Sequence, residues 1–92
     1  MTEHPTLGQI GGVALAEVSE LVGCPAEGVT AICKDGDGWI VTVELLEMAR
    51  VPETTDVLAS YEVEVAATGE VASYRRLGRY LRAQVELNGD RF

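Results

Sequence analysis

The chain is poor in cysteine, histidine and aromatic residues, and each shortage excludes a class of structure or chemistry. Two cysteines are too few for a disulfide framework, and we expect Cys24 and Cys33 to be reduced, buried thiols in a cytoplasmic protein. The single histidine, His4, falls in an expected flexible lead, residues 1–5, so no Ser-His-Asp set, Cys-His set or metal site can be assembled around it. We therefore expect no catalytic residue, no metal and no cofactor.

Long apolar runs are also missing. No run of about 18 apolar residues is present, and the N-terminus lacks the basic start and apolar stretch of a secretion signal, so we expect no membrane partner. A length of 92 residues, 47% of them hydrophobic and 24% charged, is typical of one small globular domain. We place this domain at residues 6–85, followed by a flexible tail at residues 86–92.

Positive charge is scarce overall but concentrated in one place. The chain has seven basic and fifteen acidic residues, and four of the basic ones lie in residues 74–82, YRRLGRYLR. This segment, the arginine block, has three possible roles: nucleic-acid binding, cross-strand charge pairing within a sheet, or docking of another protein. The other 83 residues carry three basic side chains against fifteen acidic ones, a balance that repels a polyanion, so we expect no nucleic-acid partner.

The N-terminal third predicts one helix. Thr6 and Gln9 have the spacing of a capping box, and apolar residues then recur every three or four positions. Gly23 suits the left-handed residue after a helix, and Pro25 prevents its continuation. The predicted helix covers about residues 7–22.

The remainder predicts strands, because the hydrophobic period changes to two. Candidate strands cover residues 29–34, 39–48, 57–66 and 71 onward, and they are separated by turns at 35–38 and 67–69 and by a polar connection at 50–56. The turn at 35–38 has too few oxygen ligands for a calcium loop. We predict an α+β fold, one N-terminal helix packed on a four-stranded antiparallel meander sheet.

Two details of the last hairpin are open. A three-residue turn would pair Val65 with Val71 and Val63 with Ser73, whereas a two-residue turn would pair Val63 with Tyr74 and Glu62 with Arg75; we favour the first. Beyond Arg76, residues 77–85 fit either a helix or a continued strand, and both alternatives expose most of the guanidinium groups.

Three segments together resemble the gas vesicle protein O (GvpO) family. They read G-W-x-V-x-V-E at 38–44, E-x-x-R-x-P-x-x-x-D-x-L-x-x-Y-E-V at 47–63 and G-E-x-x-x-Y-R-R-x-x-R-Y-x-R at 69–82. The resemblance covers roughly residues 10–84. The order of elements also resembles the broader PepSY-type fold.

The resemblance implies a non-enzymatic, cytoplasmic accessory protein of gas vesicle assembly, whose partners are shell or other accessory gas vesicle proteins. The residues expected to dock an acidic partner surface are Tyr74, Arg75, Arg76, Arg79, Tyr80 and Arg82, with their charges facing solvent. Sheet pairing and loop anchoring are expected of Glu44, Glu47, Arg50, Tyr61 and Glu62. The alternative function is a PepSY-like module that binds and inhibits a partner enzyme.

Overall fold

The computed structural model describes residues 6–82, which form one helix and a four-stranded antiparallel sheet. The strands lie side by side in chain order, as predicted, and the fold is α+β. Residues 1–5 and the expected tail at 86–92 lie outside the described residues. The elements are α1 (Leu7–Val22), β1 (Ala26–Asp35), β2 (Gly38–Met48), a 3₁₀ turn (Glu53–Thr55), β3 (Val57–Val65) and β4 (Val71–Leu81).

Helix α1 begins and ends where its capping residues predict. The Thr6 hydroxyl accepts a hydrogen bond from the Gln9 amide N–H at 3.1 Å, and the Gln9 side chain accepts one from the Thr6 N–H at 2.8 Å. At the other end Gly23 has φ 82°, and its N–H bonds to the Ser19 carbonyl. Both ends thus satisfy backbone groups that a helix leaves without intrahelical partners.

The core lies between α1 and one face of the sheet, here called the helix face. Ile10, Ala14 and Val18 of α1 are at most 1% exposed, and they pack on buried residues that alternate along β2 and β3. The opposite side, the open face, has no helix on it among the described elements. The buried strand residues on the helix face are Val41, Val43, Leu45, Ala59, Tyr61, Val63 and Val65.

Strand β1 is longer than predicted and leaves one cysteine accessible. It pairs with β2 around a two-residue turn, with Asp35 opposite Gly38. Cys24 is half-buried and Cys33 is exposed, and both are free thiols. The prediction that both are buried is therefore wrong for Cys33, because its register partner Ile40 belongs to the open face.

The β3–β4 hairpin combines the two registers that the sequence left open. The turn is the favoured three-residue one: Val65 is opposite Val71, and Gly69 has φ 95°. The register then shifts by one residue, so that Val63 is opposite Tyr74 rather than Ser73. The favoured pair of Val63 with Ser73 is therefore wrong, and the alternative pairs of Val63 with Tyr74 and Glu62 with Arg75 form instead, because Ala72 has no partner in the ladder and forms a bulge.

After Arg76 the chain continues as a strand and not as a helix. A second irregularity leaves Leu77 without a register partner, and Gly78 then lies opposite Ser60. Pairing continues to Leu81, which is opposite Val57. The open question for residues 77–81 is thus decided in favour of the strand, while 83–85 lie outside the described residues.

Gly38 is required where β2 begins, because an added Cβ would overlap the Val65 carbonyl oxygen. We expect Gly38→Ala to lower the free energy of unfolding by about 1–3 kcal/mol, as overpacked sites do. The matched control is Gly28→Ala, where an added Cβ would meet no atom within 4 Å; it should change stability by less than about 0.5 kcal/mol. Urea unfolding measures both, and equal losses in the two variants would contradict this role of Gly38.

Candidate functional site

The arginine block lies on β4, at an edge of the sheet, and the strand divides it between two faces. Residues directly opposite each other in an antiparallel pair share a face. Arg76 is opposite Tyr61 and Arg79 is opposite Ala59, so both lie on the helix face, and Tyr74 joins them there. Arg75 lies opposite Glu62, on the open face. The block is therefore not one continuous cationic strip.

On the helix face, Glu47 pairs with two arginines. Its carboxylate accepts hydrogen bonds from Arg76 Nε at 3.1 Å and Nη2 at 2.7 Å, while Arg79 Nη1 is 3.8 Å away. Glu47 lies on β2 and the two arginines on β4, so these side chains meet across β3, the strand between them. The hydrogen bonds that Arg76 donates to Glu47 raise the pKa of Arg76 above its ordinary value and stabilise the cation.

Tyr61 and Tyr74 extend this arrangement towards the core. Their ring centroids are 6.2 Å apart, with the ring planes tilted by 54°, within the range of favourable aromatic pairs. Tyr61 is 6% exposed, and burial is the main cause that raises its pKa. Tyr74, by contrast, keeps 41% of its surface exposed.

On the open face, the block pairs with acidic side chains of β2 and β3. Arg75 Nε lies 3.0 Å from Glu62 Oε1, and the Tyr80 hydroxyl donates a hydrogen bond to the Glu44 carboxylate. Burial is the main cause that raises the pKa of Glu44; nearby Glu27 adds to it. These contacts are the sheet pairing expected of Glu44 and Glu62.

Arg82, the last arginine of the block, connects three parts of the chain. Its guanidinium lies 2.5 Å from Glu27 and 3.3 Å from Asp56, and its backbone N–H bonds to the Asp56 carbonyl at 3.0 Å. The hydrogen bond to Glu27 is the main cause that raises the pKa of Arg82. Asp56 is 5% exposed and also accepts the Arg50 N–H at 2.7 Å. This network, the Asp56 network, holds the β2–β3 loop against the end of β4.

All four arginines of the block have a carboxylate partner within the chain, so the expectation of freely available charges needs correction. The side chains of Arg75 and Arg79 nevertheless remain 71% and 69% exposed. Those of Arg76 and Arg82 are 42% and 25% exposed and hold strands and loop together. Arg75 and Arg79 are therefore the arginines of the block whose side chains are mostly exposed.

Sequence reasoning missed a cleft next to the block. Its volume is about 350 Å³, and it lies between the β2–β3 loop and β4. Arg50 was expected only to anchor the loop, which its backbone does, but its guanidinium lies at the cleft and contacts the Met48 sulfur at 3.4 Å. The lining residues are Glu47, Met48, Arg50, Val57, Arg79, Tyr80 and Leu81.

Groups that could hold a metal ion are not found in the described part of the chain. Within residues 6–82, no three His, Cys, Asp or Glu side chains are close enough to share an ion. No helix within that range is long and apolar enough to cross a membrane. The acidic side chains near the block are instead used in ion pairs and hydrogen bonds.

The Asp56 network predicts a stability effect. Asp56→Asn removes the charge that faces Arg82, and we expect the free energy of unfolding to fall by about 1–3 kcal/mol. Asp37→Asn, in the exposed β1–β2 turn, is the matched control and should change stability by less than about 0.5 kcal/mol. If chemical denaturation shows the two variants to be equally stable, the network does not hold the loop.

Glu44 predicts a pH effect. Because its pKa is higher in the folded protein than the ordinary value of 4.5, its contribution to stability is fully present at lower pH and is lost as pH rises through the raised value. Glu44→Gln cannot ionise, so its stability relative to the unchanged protein should increase from pH 4 to pH 7. Thermal unfolding of both proteins at the two pH values measures this, and a constant difference would contradict it.

Comparison with known proteins gives one consistent result. Residues 2–86 match the family described as gas vesicle synthesis protein GvpO. Gas vesicle protein O of Streptomyces sp. (strain CB03234) is 51% identical over 71 residues, which cover 77% of this chain and 56% of the relative. Gas vesicle protein O of Haloferax mediterranei is 41% identical over 68 residues, which cover 73% of this chain and 49% of the relative.

A third relative, gas vesicle protein O1 of Halobacterium salinarum, is 35% identical over 60 residues, which cover 65% of this chain and 50% of the relative. The chain thus spans about half the length of the curated relatives it matches. No solved structure matches it, so the likeness to the PepSY-type fold is not confirmed. The family match covers almost the whole sequence, and the chain belongs to the GvpO family of gas vesicle synthesis proteins.

Proposed function

We propose that this chain is a non-enzymatic accessory protein of gas vesicle assembly and acts by contacts with shell or other accessory gas vesicle proteins in the cytoplasm. The observation that carries the proposal is the family match over residues 2–86, which includes the whole arginine block. Relatives from Streptomyces, Haloferax and Halobacterium carry gas vesicle names.

The arginine block supplies the contact surface in this proposal. Arginine and tyrosine are enriched in protein interfaces because both combine a large contact area with directional hydrogen bonds. Arg75, Arg79 and Tyr74 are exposed and can reach a partner directly. The other three residues of the block fix the position of β4. Arg76 bonds to Glu47, Tyr80 to Glu44 and Arg82 to Asp56.

A role without catalysis agrees with how the polar groups are used. Glu44, the carboxylate whose pKa is raised, bonds to Tyr80 and lies beside Arg82. Glu47, at the cleft, is held by two hydrogen bonds from Arg76 Nη2 and one from Nε. Within residues 6–82, these carboxylates are committed to side chains of the same sheet.

The test is complementation in cells that carry a gas vesicle gene cluster from which the native family member has been deleted. We expect the full chain to restore vesicles, and the double variant Arg75→Gln/Arg79→Gln to restore fewer. Both changes are at highly exposed side chains, so the variant should remain folded by circular dichroism. Vesicle yield is measured as the turbidity that is lost when the vesicles collapse under pressure.

Two results would count against the proposal. If the full chain does not restore vesicles, the assignment to assembly fails. If the folded double variant restores a full yield, assembly does not depend on the exposed arginines of the block.

A further inference from the structure

We propose that the cleft between the β2–β3 loop and β4 binds a short segment of a partner protein that carries one apolar side chain flanked by carboxylates. The inference rests on the proposed function and assigns the docking contact to the surface where the β2–β3 loop meets β4. It follows from the floor of the cleft, the charges at its sides and the rigidity of its wall.

The floor is apolar and open to solvent. Met48, Val57 and Leu81 lie in one row across β2, β3 and β4. Met48 is 51% exposed and Leu81 is 38% exposed, which is high for side chains next to a core. A volume of about 350 Å³ lies at the small end of the range for binding pockets, so it suits one side chain and part of its backbone.

Arg79 supplies a cation at one side that an incoming carboxylate can use. Arg76 holds Glu47 by hydrogen bonds of 2.7 Å to both oxygens, whereas Arg79 is 3.8 Å from the nearer oxygen. Arg79 is also 69% exposed. A partner carboxylate can therefore pair with Arg79 while the short bonds between Arg76 and Glu47 remain intact.

Arg50 supplies a second cation on the loop side. Its side chain contacts the Met48 sulfur, and no carboxylate of residues 6–82 lies within 4 Å of its guanidinium nitrogens. Because Arg76 neutralises the charge of Glu47, Arg50 and Arg79 give the cleft a local excess of positive charge in a chain of net charge −8. Two cations beside an apolar floor are complementary to an apolar side chain between carboxylates.

The wall of the cleft is held in place before any partner binds. Asp56 fixes the Arg50 backbone N–H and the end of β4 together. The Thr55 hydroxyl bonds to the Pro52 carbonyl at 2.7 Å within the same loop. A site that is already ordered loses less conformational entropy on binding, which favours recognition of a short segment.

The test is NMR titration of the full chain with the peptide Ac-Glu-Leu-Glu-NH₂. We expect saturable shifts at the Met48 methyl and at the Arg50 and Leu81 amides. Ac-Lys-Leu-Lys-NH₂ should bind more weakly because of its charges, and Ac-Glu-Gly-Glu-NH₂ because it lacks the apolar side chain. A uridine hexamer tests the nucleic-acid alternative and should not shift these signals.

Two variants with the same charge change separate the cleft from general electrostatics. Arg79→Gln should weaken peptide binding about two- to fivefold, the effect of losing one exposed ion pair. Arg75→Gln removes an equally exposed arginine from the open face and should leave binding unchanged. Met48→Ala should weaken binding by removing part of the floor.

Several outcomes would overturn the inference: no saturable shift with the acidic peptide, equal binding of the basic peptide, binding of the uridine hexamer at the same signals, or equal weakening by Arg75→Gln and Arg79→Gln.

These outcomes are distinct from failure of the proposed function. Reduced vesicle yield in the double variant without peptide binding would reject only the cleft. Peptide binding by a chain that cannot restore vesicles would reject the assembly role.

Discussion

Burial of a single sheet face under α1 is the constraint on which the rest of the structure depends. Ile10, Ala14 and Val18 can be removed from water only against alternate residues of the strands. Every strand therefore has one side at or near the core and one side on the open face. Because successive side chains of a strand point to opposite faces, the basic residues of β4 are distributed between these two environments. Neighbours in sequence such as Arg75 and Arg76 therefore acquire different partners.

The acidic excess of the chain is used in part to hold this edge strand. Exposed ion pairs contribute only about 0.2–1 kcal/mol each, so the pair between Arg75 and Glu62 adds little to stability. Asp56 is different because it is buried, and its loss would leave buried donors without an acceptor. The same network that completes the fold shapes the cleft beside it. Exposure separates Arg76 and Arg82, which hold the strand, from Arg75 and Arg79, which we propose contact a partner.

Membership in the GvpO family gives these charges a biological setting. The cleft and the exposed arginines beside it are the surface at which we propose that a partner protein binds. In the proposed complex, cations beside apolar surface in an otherwise acidic molecule disfavour polyanions and favour a short acidic segment. Since the chain spans about half the length of the curated relatives it matches, this domain is one part of what those proteins contain.

The sequence by itself determined helix α1 and the order of the four strands, and the tertiary structure decided the path of β4 and which residues meet. Capping by Thr6 and Gly23 set the ends of α1, and alternation set the strands, because both signals act over a few residues. The bulges at Ala72 and Leu77 could not be predicted, since each reflects how two whole strands fit and not a local preference. Those shifts decide the face of every later residue of β4. The contact of Glu47 with Arg76, 29 positions apart, and the cleft it borders exist only once three strands are aligned.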